Sequence, residues 1–486
     1  MTRASYRVQS PTEGLVGGLA ERLAGPAYQG YAYGYPHKTA YRALSPPREL
    51  REVWRSGAHF ASRIAAGQPD AQSDTRDAPI ELYVHIPFCS MRCGFCNLFT
   101  TVDAANGIVP RLLAQLEVEA LEAASAVAGR RIAHIAIGGG TPTFLRAAEL
   151  DRLLVMLGRT LGADPQQAAT SVESSPETVT PDKLAVLRRH GVERLSLGVQ
   201  SFDEAETRAL GRPQRRRQVE QALEMIRQAS FPVLNIDLIY GAAGQPVASV
   251  LASIDAALAW QPGELFLYPL YVRPLTGLGR TGRAPGPEQA TVETTDLRLD
   301  MYRAGRDCLL DAGVRQISMR CFRKTSAKAP LDACDEAGSH AAASLGSLGL
   351  GCGARSTAPA LHYSSEYAVG RGGVQAILAS YLARDRASFH SAHHGVELSG
   401  DDQRRRFVLL SLLQTVGVSR AAYRQRFGGD VLDELPQLAE LTAFGLGQID
   451  AECVSLTAAG IERADVVGPW LYAAEVVSRM RSYPWR

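Results

Sequence analysis

Residues 83–96 read Tyr-Val-His-Ile-Pro-Phe-Cys-Ser-Met-Arg-Cys-Gly-Phe-Cys, which places Cys89, Cys93 and Cys96 at the spacing C-x3-C-x2-C. A cubane iron–sulfur cluster normally takes one thiolate on each of its four irons, so three cysteines leave one iron open to another ligand. A partial zinc site is the alternative interpretation. Zinc motifs usually add a second Cys or His pair, and no such pair follows Cys96. The spacing therefore predicts a [4Fe-4S] cluster with an open iron.

The composition of the chain excludes several classes of function. Its 486 residues allow two or three domains, and a hydrophobic content of 46% fits a globular protein with a large core. The 52 basic and 50 acidic residues give a net charge of +2, which argues against nucleic-acid binding. No signal peptide core follows Met1 and no apolar stretch approaches membrane-spanning length, so we expect a cytoplasmic protein without a membrane partner.

The other cysteines are scattered, and each is expected to be a small buried hydrophobic residue. They are Cys308, Cys321, Cys334, Cys352 and Cys453. In a long cytosolic chain, eight cysteines favour metal binding or catalysis over a disulfide framework.

Short apolar segments alternate with helical segments from about residue 79 to residue 275, which predicts a parallel sheet or barrel. The predicted strands are 80–87, 132–138, 171–174, 194–199, 233–239 and 264–270. The predicted helices include 109–128, 181–189, 216–228 and 249–260. Six such units are too few for an eight-fold barrel.

Three of these strands place polar side chains on one face. Asn235 alternates with Asp237, Tyr83 with His85, and Gln200 shares a face with Ser196 and Gly198. Parallel strands buried on both faces are apolar throughout, so a polar face predicts a ligand cavity inside the barrel.

The run 83–96, with Phe95 before its last cysteine, resembles the radical S-adenosylmethionine (SAM) superfamily. Its first half, Tyr-Val-His-Ile-Pro-Phe-Cys, is similar to the branch of oxygen-independent coproporphyrinogen III oxidase, an enzyme of porphyrin biosynthesis. The resemblance implies a partial (β/α)6 barrel with an N-terminal arm and a C-terminal winged-helix-like α+β domain. It implies a [4Fe-4S] cluster, one or two SAM molecules, a small-molecule substrate, and a reductant such as flavodoxin or ferredoxin. One electron would cleave SAM to a 5′-deoxyadenosyl radical that takes hydrogen from the substrate.

The resemblance also implies which residues contact SAM. Gly139, Gly140 and Thr141 match a glycine-rich segment at the methionine amino group, although glycines there would also suit a tight turn. The remaining implied contacts are Glu173 to methionine, Gln200 to ribose, Arg212 near the carboxylate, Asp237 to a second hydroxyl, and Tyr83 and Phe95 beside the cluster.

The predicted domains are an N-terminal arm and linker at 1–78, a barrel with a substrate-side extension at 79–395, and a cover domain at 396–486. The aromatic run 28–42 is either packing against the barrel or a contact at the substrate entrance. In the cover domain, 399–413, 419–427 and 435–444 are predicted helices, 453–457 a strand, and 471–481 a last helix. A lid is favoured over DNA binding because the chain is nearly neutral.

The substrate half departs from the family. The haem-chaperone relatives carry Cys-x-His-Asn-x-x-Tyr-Trp before a Gly-rich run, whereas this chain has Cys-Asp-Glu-Ala-Gly-Ser-His at 334–340 followed by Ala-Ala-Ala. The Gly-rich run itself, 349–356, is interpreted as a turn near the substrate mouth. We therefore expect a radical SAM enzyme that is similar to coproporphyrinogen III oxidase, with a haem-binding chaperone as the alternative and a zinc-stabilised DNA-binding regulator as a third hypothesis.

Overall fold

A computed structural model describes residues 18–25, 34–55, 79–102, 107–273, 275–281, 292–324 and 346–485. The first strands are β1 (Arg42–Glu49), β2 (Ile80–Ile86), β3 (Ile132–Gly139), β4 (Ala169–Ser174), β5 (Arg194–Gln200), β6 (Val233–Tyr240), β7 (Glu264–Pro269) and β8 (Val314–Gln316). The later strands are β9 (Cys321–Lys324), β10 (Ser347–Leu350), β11 (Arg355–Thr357), β12 (Leu361–Ser364), β13 (Ser391–Glu397), β14 (Val418–Ser419), β15 (Gly447–Ile449) and β16 (Cys453–Leu456).

The helices surround these strands. Those up to the end of the barrel are α1 (Leu19–Leu23), α2 (Ile108–Ala126), α3 (Ala147–Leu161), α4 (Pro181–Arg189), α5 (Glu204–Ala209), α6 (Arg216–Ala229), α7 (Val247–Leu258), α8 (Gly277–Thr281) and α9 (Val292–Asp311). Those that follow are α10 (Arg371–Leu382), α11 (Gly400–Leu412), α12 (Arg420–Phe427), α13 (Val431–Glu434), α14 (Ala439–Ala443), α15 (Ala458–Ile461), α16 (Ala464–Trp470) and α17 (Ala474–Arg481). No helix in the described parts of the chain is both long and apolar enough to cross a membrane.

The centre of the molecule is a run of six parallel strands, β2 to β7, that pair in chain order. Their apolar side chains are buried, and Val84, Leu195 and Leu197 are fully inaccessible to solvent. The connecting helices bury one apolar stripe each: α3 buries Leu150 and Leu157 and ends at Gly162, whose φ of 64° is left-handed. The predicted partial (β/α)6 architecture is confirmed.

Both edges of this parallel run are extended by other strands. The full sheet has 13 strands in the order β1-β13-β12-β11-β10-β2-β3-β4-β5-β6-β7-β9-β8. Strand β10 pairs in parallel with β2, and β9 pairs antiparallel with β7. Pairing satisfies the N–H and C=O groups that an open barrel edge would expose.

The Gly-rich run 349–356 contributes to this extension. Its first residues belong to β10, its last to β11, and only the residues between them form the predicted turn. The predicted segment 334–340 and the linker at 56–78 lie outside the described residues.

The described part of the N-terminal arm packs tightly. Strand β1 pairs with β13, so the arm joins the main sheet. Tyr35 and Tyr41 are almost fully buried, and the ring centroid of Tyr35 lies 5.0 Å from that of Tyr472. Packing therefore accounts for these tyrosines, whereas residues 28–33 of the aromatic run lie outside the described residues. The predicted domain boundaries stay predictions; the one at residue 395 falls inside β13.

The C-terminal region contains a small antiparallel sheet, β14-β16-β15, covered by short helices. The prediction of one helix at 435–444 was wrong, because the segment is a 3₁₀ turn at Pro436–Leu438 followed by α14. Leu435 precedes a proline and has a non-helical ψ of 65°, which ends α13 there. The predicted last helix, 471–481, is found as α17, which begins three residues later at Ala474.

Candidate cluster and cofactor site

The predicted site residues meet at one end of the parallel strands. The cysteine run follows β2, the Gly-rich segment ends β3, and Glu173 lies near the end of β4 opposite Ser196 of β5. Asp237 of β6 lies opposite Gly198 of β5. Because the carboxyl ends of parallel strands share an edge, residues far apart in the chain come together there.

The cysteine loop is closed by backbone hydrogen bonds. The N–H of Cys89 donates to the carbonyl of Thr101 at 3.1 Å, and the N–H of Thr101 donates to the carbonyl of Pro87 at 2.7 Å. Inside the loop, the N–H of Cys96 donates to the carbonyl of Cys93 at 3.1 Å. The loop therefore holds its three sulfur atoms on a defined backbone.

Each of the three sulfurs has a polar neighbour. The Thr141 hydroxyl donates to Sγ of Cys89 at 3.6 Å, Nη1 of Arg212 donates to Sγ of Cys93 at 3.1 Å, and Oγ1 of Thr100 lies 3.6 Å from Sγ of Cys96. Burial above all, together with the charges of Cys96 and Cys93, raises the pKa of Cys89 to about 12, so the three sulfurs lie within electrostatic reach of one another. Buried thiolates need a positive partner, which iron supplies.

Gly94, between the last two cysteines, lies where three chain segments touch. A Cβ atom there would lie 2.7 Å from the carbonyl oxygen of Leu210 and 3.2 Å from Cα of Gly211. Its N–H donates to the Leu210 carbonyl at 3.0 Å, and its carbonyl accepts from the N–H of Leu278 at 2.7 Å. This approach joins the cluster loop to the segment that carries Arg212 and to the segment that follows β7.

The Gly-rich segment lies against Glu173 and the cysteine loop. The N–H of Gly139 donates to the Glu173 carboxylate at 3.0 Å, and Gly139 has a left-handed φ of 109°. A Cβ at Gly138 would lie 2.7 Å from that carboxylate, and one at Gly140 would lie 2.6 Å from the carbonyl of Phe88. Only glycine lets this backbone approach so closely, and the Glu173 side chain remains exposed at the open end of the strands.

Tyr83 and His85 form a hydrogen-bonded chain beneath the cluster loop. Nε2 of His85 lies 2.8 Å from the Phe99 carbonyl, and Nδ1 lies 3.2 Å from the Tyr83 hydroxyl. Burial, and then the charge of Lys38, lowers the pKa of His85 to about 3, so the ring is neutral. A carbonyl only accepts, so Nε2 carries the proton and the Tyr83 hydroxyl donates to Nδ1. The predicted polar face is present, although His85 is enclosed rather than open to a cavity.

Residues 83–257 match the family model of the radical SAM superfamily, and residues 398–462 match the model of the HemN C-terminal domain. The chain therefore contains a radical SAM domain. Among its relatives, the haem chaperone HemW of Bacillus subtilis (strain 168) is 26% identical over 382 residues, which are 78% of this chain and 95% of that protein.

An oxygen-independent coproporphyrinogen III oxidase belongs to the same set of relatives. That of Escherichia coli (strain K12) is 27% identical over 446 residues, which are 89% of this chain and 91% of that protein. The solved structure of coproporphyrinogen III oxidase (HemN) from Escherichia coli superposes with a TM-score of 0.66 at 25% identity, covering 87% of this chain and 93% of that one. The predicted branch of the superfamily is therefore confirmed, with oxidase and chaperone both among the relatives.

Radical SAM proteins use a [4Fe-4S] cluster and SAM, and the residues present fit both groups. The cluster requires neighbouring thiols, and three are present. SAM requires a close backbone approach, which the Gly-rich segment allows because it has no Cβ atoms in the way. Within the described residues no three His, Cys, Asp or Glu side chains are grouped as ligands of a single ion. A cubane does not need such a group, because its cysteines bind separate irons.

Arg212 is the most connected charged residue of this radical SAM site. Besides Sγ of Cys93, its guanidinium donates to the Ser175 hydroxyl at 2.7 Å and to the Gly198 carbonyl at 2.9 Å. Its Nε donates to Gln214 at 3.2 Å. Burial lowers the pKa of Arg212, but the charges of Cys93, Glu177 and Cys89 and the hydrogen bond to Cys93 together outweigh it, so the pKa is raised and the side chain stays cationic. Gln200, with a left-handed φ of 69°, lies beside Gly198.

Asp237 ends a polar network that crosses the barrel. Nδ2 of Asn235 donates to Asp237 at 2.7 Å and to the Ser196 hydroxyl at 3.2 Å, and Arg194 joins Ser196 to Glu264 through bonds of 2.6 Å each. Burial raises the pKa of Asp237 to about 6. Asp237 is thus a half-buried carboxyl held by the polar strand face that the sequence predicts.

Phe95 differs from the other predicted contacts, because it packs into an apolar cluster with Tyr268, Leu210 and Leu278. The sequence interpretation also missed two groups, Ser175 and Gln214, which hold Arg212. Both lie within three residues of a predicted site residue, but nothing in their local pattern distinguishes them from ordinary polar residues.

Proposed function

We propose that this protein is a radical SAM enzyme that abstracts hydrogen from a tetrapyrrole substrate in the manner of coproporphyrinogen III oxidase. The observation that carries the proposal is the cysteine loop at the end of β2, with Arg212 on Cys93 and with Glu173, Gln200 and Asp237 on the neighbouring strands. When bound, the cluster and SAM supply a 5′-deoxyadenosyl radical.

In this proposal the chain holds and orients those groups. Cys89, Cys93 and Cys96 hold the cluster, and Arg212 neutralises charge on Cys93. Gly139, Gly140, Thr141 and Glu173 surround the methionine part of SAM, and the Glu173 carboxylate is available to accept from its ammonium group. Gln200 and Asp237, on the neighbouring strands β5 and β6, would contact the ribose, and Tyr83 would support the cluster loop through His85.

A haem-binding chaperone of the same family is the second candidate function. What favours it is the match to HemW, which extends over 95% of that protein. The sequence lacks the segment typical of the haem chaperones and has residues 334–340 in its place. Those residues lie outside the described part of the chain.

The test is anaerobic. The protein is reconstituted with iron and sulfide, reduced with dithionite and mixed with SAM, and 5′-deoxyadenosine is quantified with and without coproporphyrinogen III. We expect 5′-deoxyadenosine and conversion of the substrate to protoporphyrinogen IX. Formation of 5′-deoxyadenosine without tetrapyrrole turnover would retain the radical chemistry and overturn the substrate. An intact cluster without 5′-deoxyadenosine, together with stoichiometric haem binding, would favour the chaperone.

A further inference from the structure

Arg273 lies next to the cluster loop but belongs to none of the contacts described above. It follows β7, and the Arg273 carbonyl accepts from the Thr276 hydroxyl at 2.8 Å. Two residues beyond Thr276, the N–H of Leu278 donates to the carbonyl of Gly94 between Cys93 and Cys96. Leu275, between Arg273 and Thr276, has a left-handed φ of 67°, which is costly for a residue other than glycine. The backbone therefore holds Arg273 beside the open end of the barrel.

The Arg273 side chain is buried without a hydrogen-bonded partner. The residue is 3% exposed, and within the described part of the chain its guanidinium donates to no other residue, with Nη1 fully enclosed. The face of the Tyr271 ring lies against the group, with the ring centroid 5.3 Å from the guanidinium carbon. Burying a guanidinium without an anion costs free energy. An arginine buried in this way therefore points to an anion from a ligand.

Asp465, the carboxylate whose charge acts on Arg273, is already bonded elsewhere. Asp465 accepts from Nη2 of Arg320 at 2.9 Å and from the Tyr271 hydroxyl. Burial raises the pKa of Asp465, while Arg320, Tyr271, Arg273 and Arg298 lower it, so three guanidinium groups lie within electrostatic reach of this one carboxylate. Asp465 is therefore already engaged by Arg320 and Tyr271, and it accepts no described hydrogen bond from Arg273.

The same region is in contact with the cluster loop. The Tyr367 hydroxyl donates to the carbonyl of Asn97, the residue after Cys96, at 2.9 Å. Burial is the main cause that raises the pKa of Tyr367, followed by the charge of Tyr483. The charge of Arg273 lowers this pKa and that of Cys96 raises it, so Tyr367 lies within electrostatic reach of both Arg273 and Cys96. The His37 ring lies 6.1 Å from the Tyr367 ring. Burial, and then the charge of Arg273, lowers the pKa of His37 to about 3, so His37 adds no charge.

We propose that Arg273 binds a carboxylate of the tetrapyrrole substrate and so holds the substrate at the open end of the barrel, beside the cluster loop. This inference rests on the proposed function for the identity of the ligand, but the burial of Arg273 with no hydrogen-bond acceptor among the described residues stands independently. A guanidinium binds a carboxylate through two parallel hydrogen bonds, and the Tyr271 ring on its face leaves the edge of the group for such a pair.

The first experiment measures binding of coproporphyrin III, the stable oxidised tetracarboxylate, to the reconstituted holoprotein by fluorescence titration. The variants are Arg273→Gln, Arg273→Lys and, as a matched control, Arg280→Gln, an exposed arginine of the same segment. We expect Arg273→Gln to weaken binding about 10- to 100-fold, because a charged bidentate contact is lost, and Arg273→Lys to fall between. Arg280→Gln should stay within about twofold of the wild type, since an exposed side chain binds no buried carboxylate.

Equal binding by Arg273→Gln and wild type, or no binding of coproporphyrin III by the wild type, would overturn the proposal. Equal binding is separate from failure of the proposed function, whereas absence of wild-type binding would overturn its tetrapyrrole substrate as well. Failure of the radical chemistry is distinguishable from both. That failure appears as absence of 5′-deoxyadenosine in the wild type, which does not enter the titration.

The second experiment separates binding from a structural role. Thermal unfolding of ligand-free holoprotein is compared for wild type and Arg273→Met, with cluster absorbance as a check on folding. Because the guanidinium has no hydrogen-bonded partner to lose, the variant should unfold at or above the wild-type temperature and still cleave SAM without substrate. A marked fall in unfolding temperature would show that Arg273 holds the fold, and the proposal would be abandoned.

Discussion

The cluster side of the barrel and the side that contains Arg273 differ in how their charges are satisfied. Arg212 on the cluster side donates to Cys93, Ser175 and Gly198, whereas Arg273 donates to no described residue. Both arginines are almost fully buried. The comparison shows that the side chains of the candidate cofactor site are held by the chain itself, while Arg273 is buried with no acceptor among the described residues.

The two sides also differ in where their residues come from. The cluster side is built from successive strand–helix units, β2 to β6. The other side joins distant segments, with Tyr271 and Asp465 separated by 194 residues and Arg320 and Asp465 by 145. A site of the second kind forms only when the C-terminal region packs on the barrel.

The largest expected effect tests the cluster side. Replacing Cys89, Cys93 or Cys96 by alanine should abolish 5′-deoxyadenosine formation, because an iron loses its thiolate. The assay is chromatography of the reaction products under reducing anaerobic conditions. Cys308→Ala removes a half-buried thiol outside the loop and should retain activity. Continued SAM cleavage by a loop variant would contradict the cluster assignment.

The Arg212→Gln variant sharpens the comparison by removing the positive charge that lies beside Sγ of Cys93. Loss of the N–H donor should lower the cluster reduction potential by tens of millivolts and reduce SAM cleavage about 10- to 100-fold. The potential is measured by a redox titration followed by electron paramagnetic resonance. Arg215→Gln, an exposed neighbour, should change neither quantity. If the KM for SAM rises while the potential is unchanged, Arg212 acts on SAM and not on the cluster.

Gly94→Ala tests the junction that couples the two sides. The added Cβ would lie 2.7 Å from the Leu210 carbonyl, so we expect a loss of about 1–3 kcal/mol in unfolding free energy and a lower iron content. Urea unfolding and iron analysis measure these quantities. At Gly372, in α10, an added Cβ meets nothing within 4 Å, so Gly372→Ala should be neutral or stabilising by up to about 1 kcal/mol. Equal behaviour of the two variants would mean that the close approach at Gly94 has no energetic role.

The smallest expected effect concerns Asp237. Its pKa of about 6 is raised above the value of 3.8 in the unfolded chain, so its contribution to stability is present at low pH and is lost as the pH rises through about 6. The unfolding free energy of Asp237→Asn minus that of wild type should therefore rise by about 1 kcal/mol from pH 5 to pH 7.5. Urea unfolding at the two pH values measures the difference, with the exposed Asp307→Asn as control. A difference that is independent of pH would show that Asp237 does not titrate in this range.

The parallel strands were predictable because their signal is local. The predicted strand 194–199 became Arg194–Gln200 and the predicted helix 181–189 was found as Pro181–Arg189, since apolar periodicity and flanking turn residues lie within each element. The strands β10 to β12 were not predicted, because they have three or four residues each and form by pairing with partners elsewhere. Helix α3 was not among the named predictions, although its apolar stripe was present in the sequence.

By itself the sequence determined the cysteine loop, the parallel core and the positions of the polar strand face, because each depends on spacings of a few residues along the chain. The tertiary structure alone decided that Arg212 donates to Cys93, 119 residues away, and that Arg273 is buried without a bonded anion among the described residues. The physical reason is that a charge is satisfied or left unsatisfied by whatever folding brings within a few ångströms of it, and no local pattern records that distance.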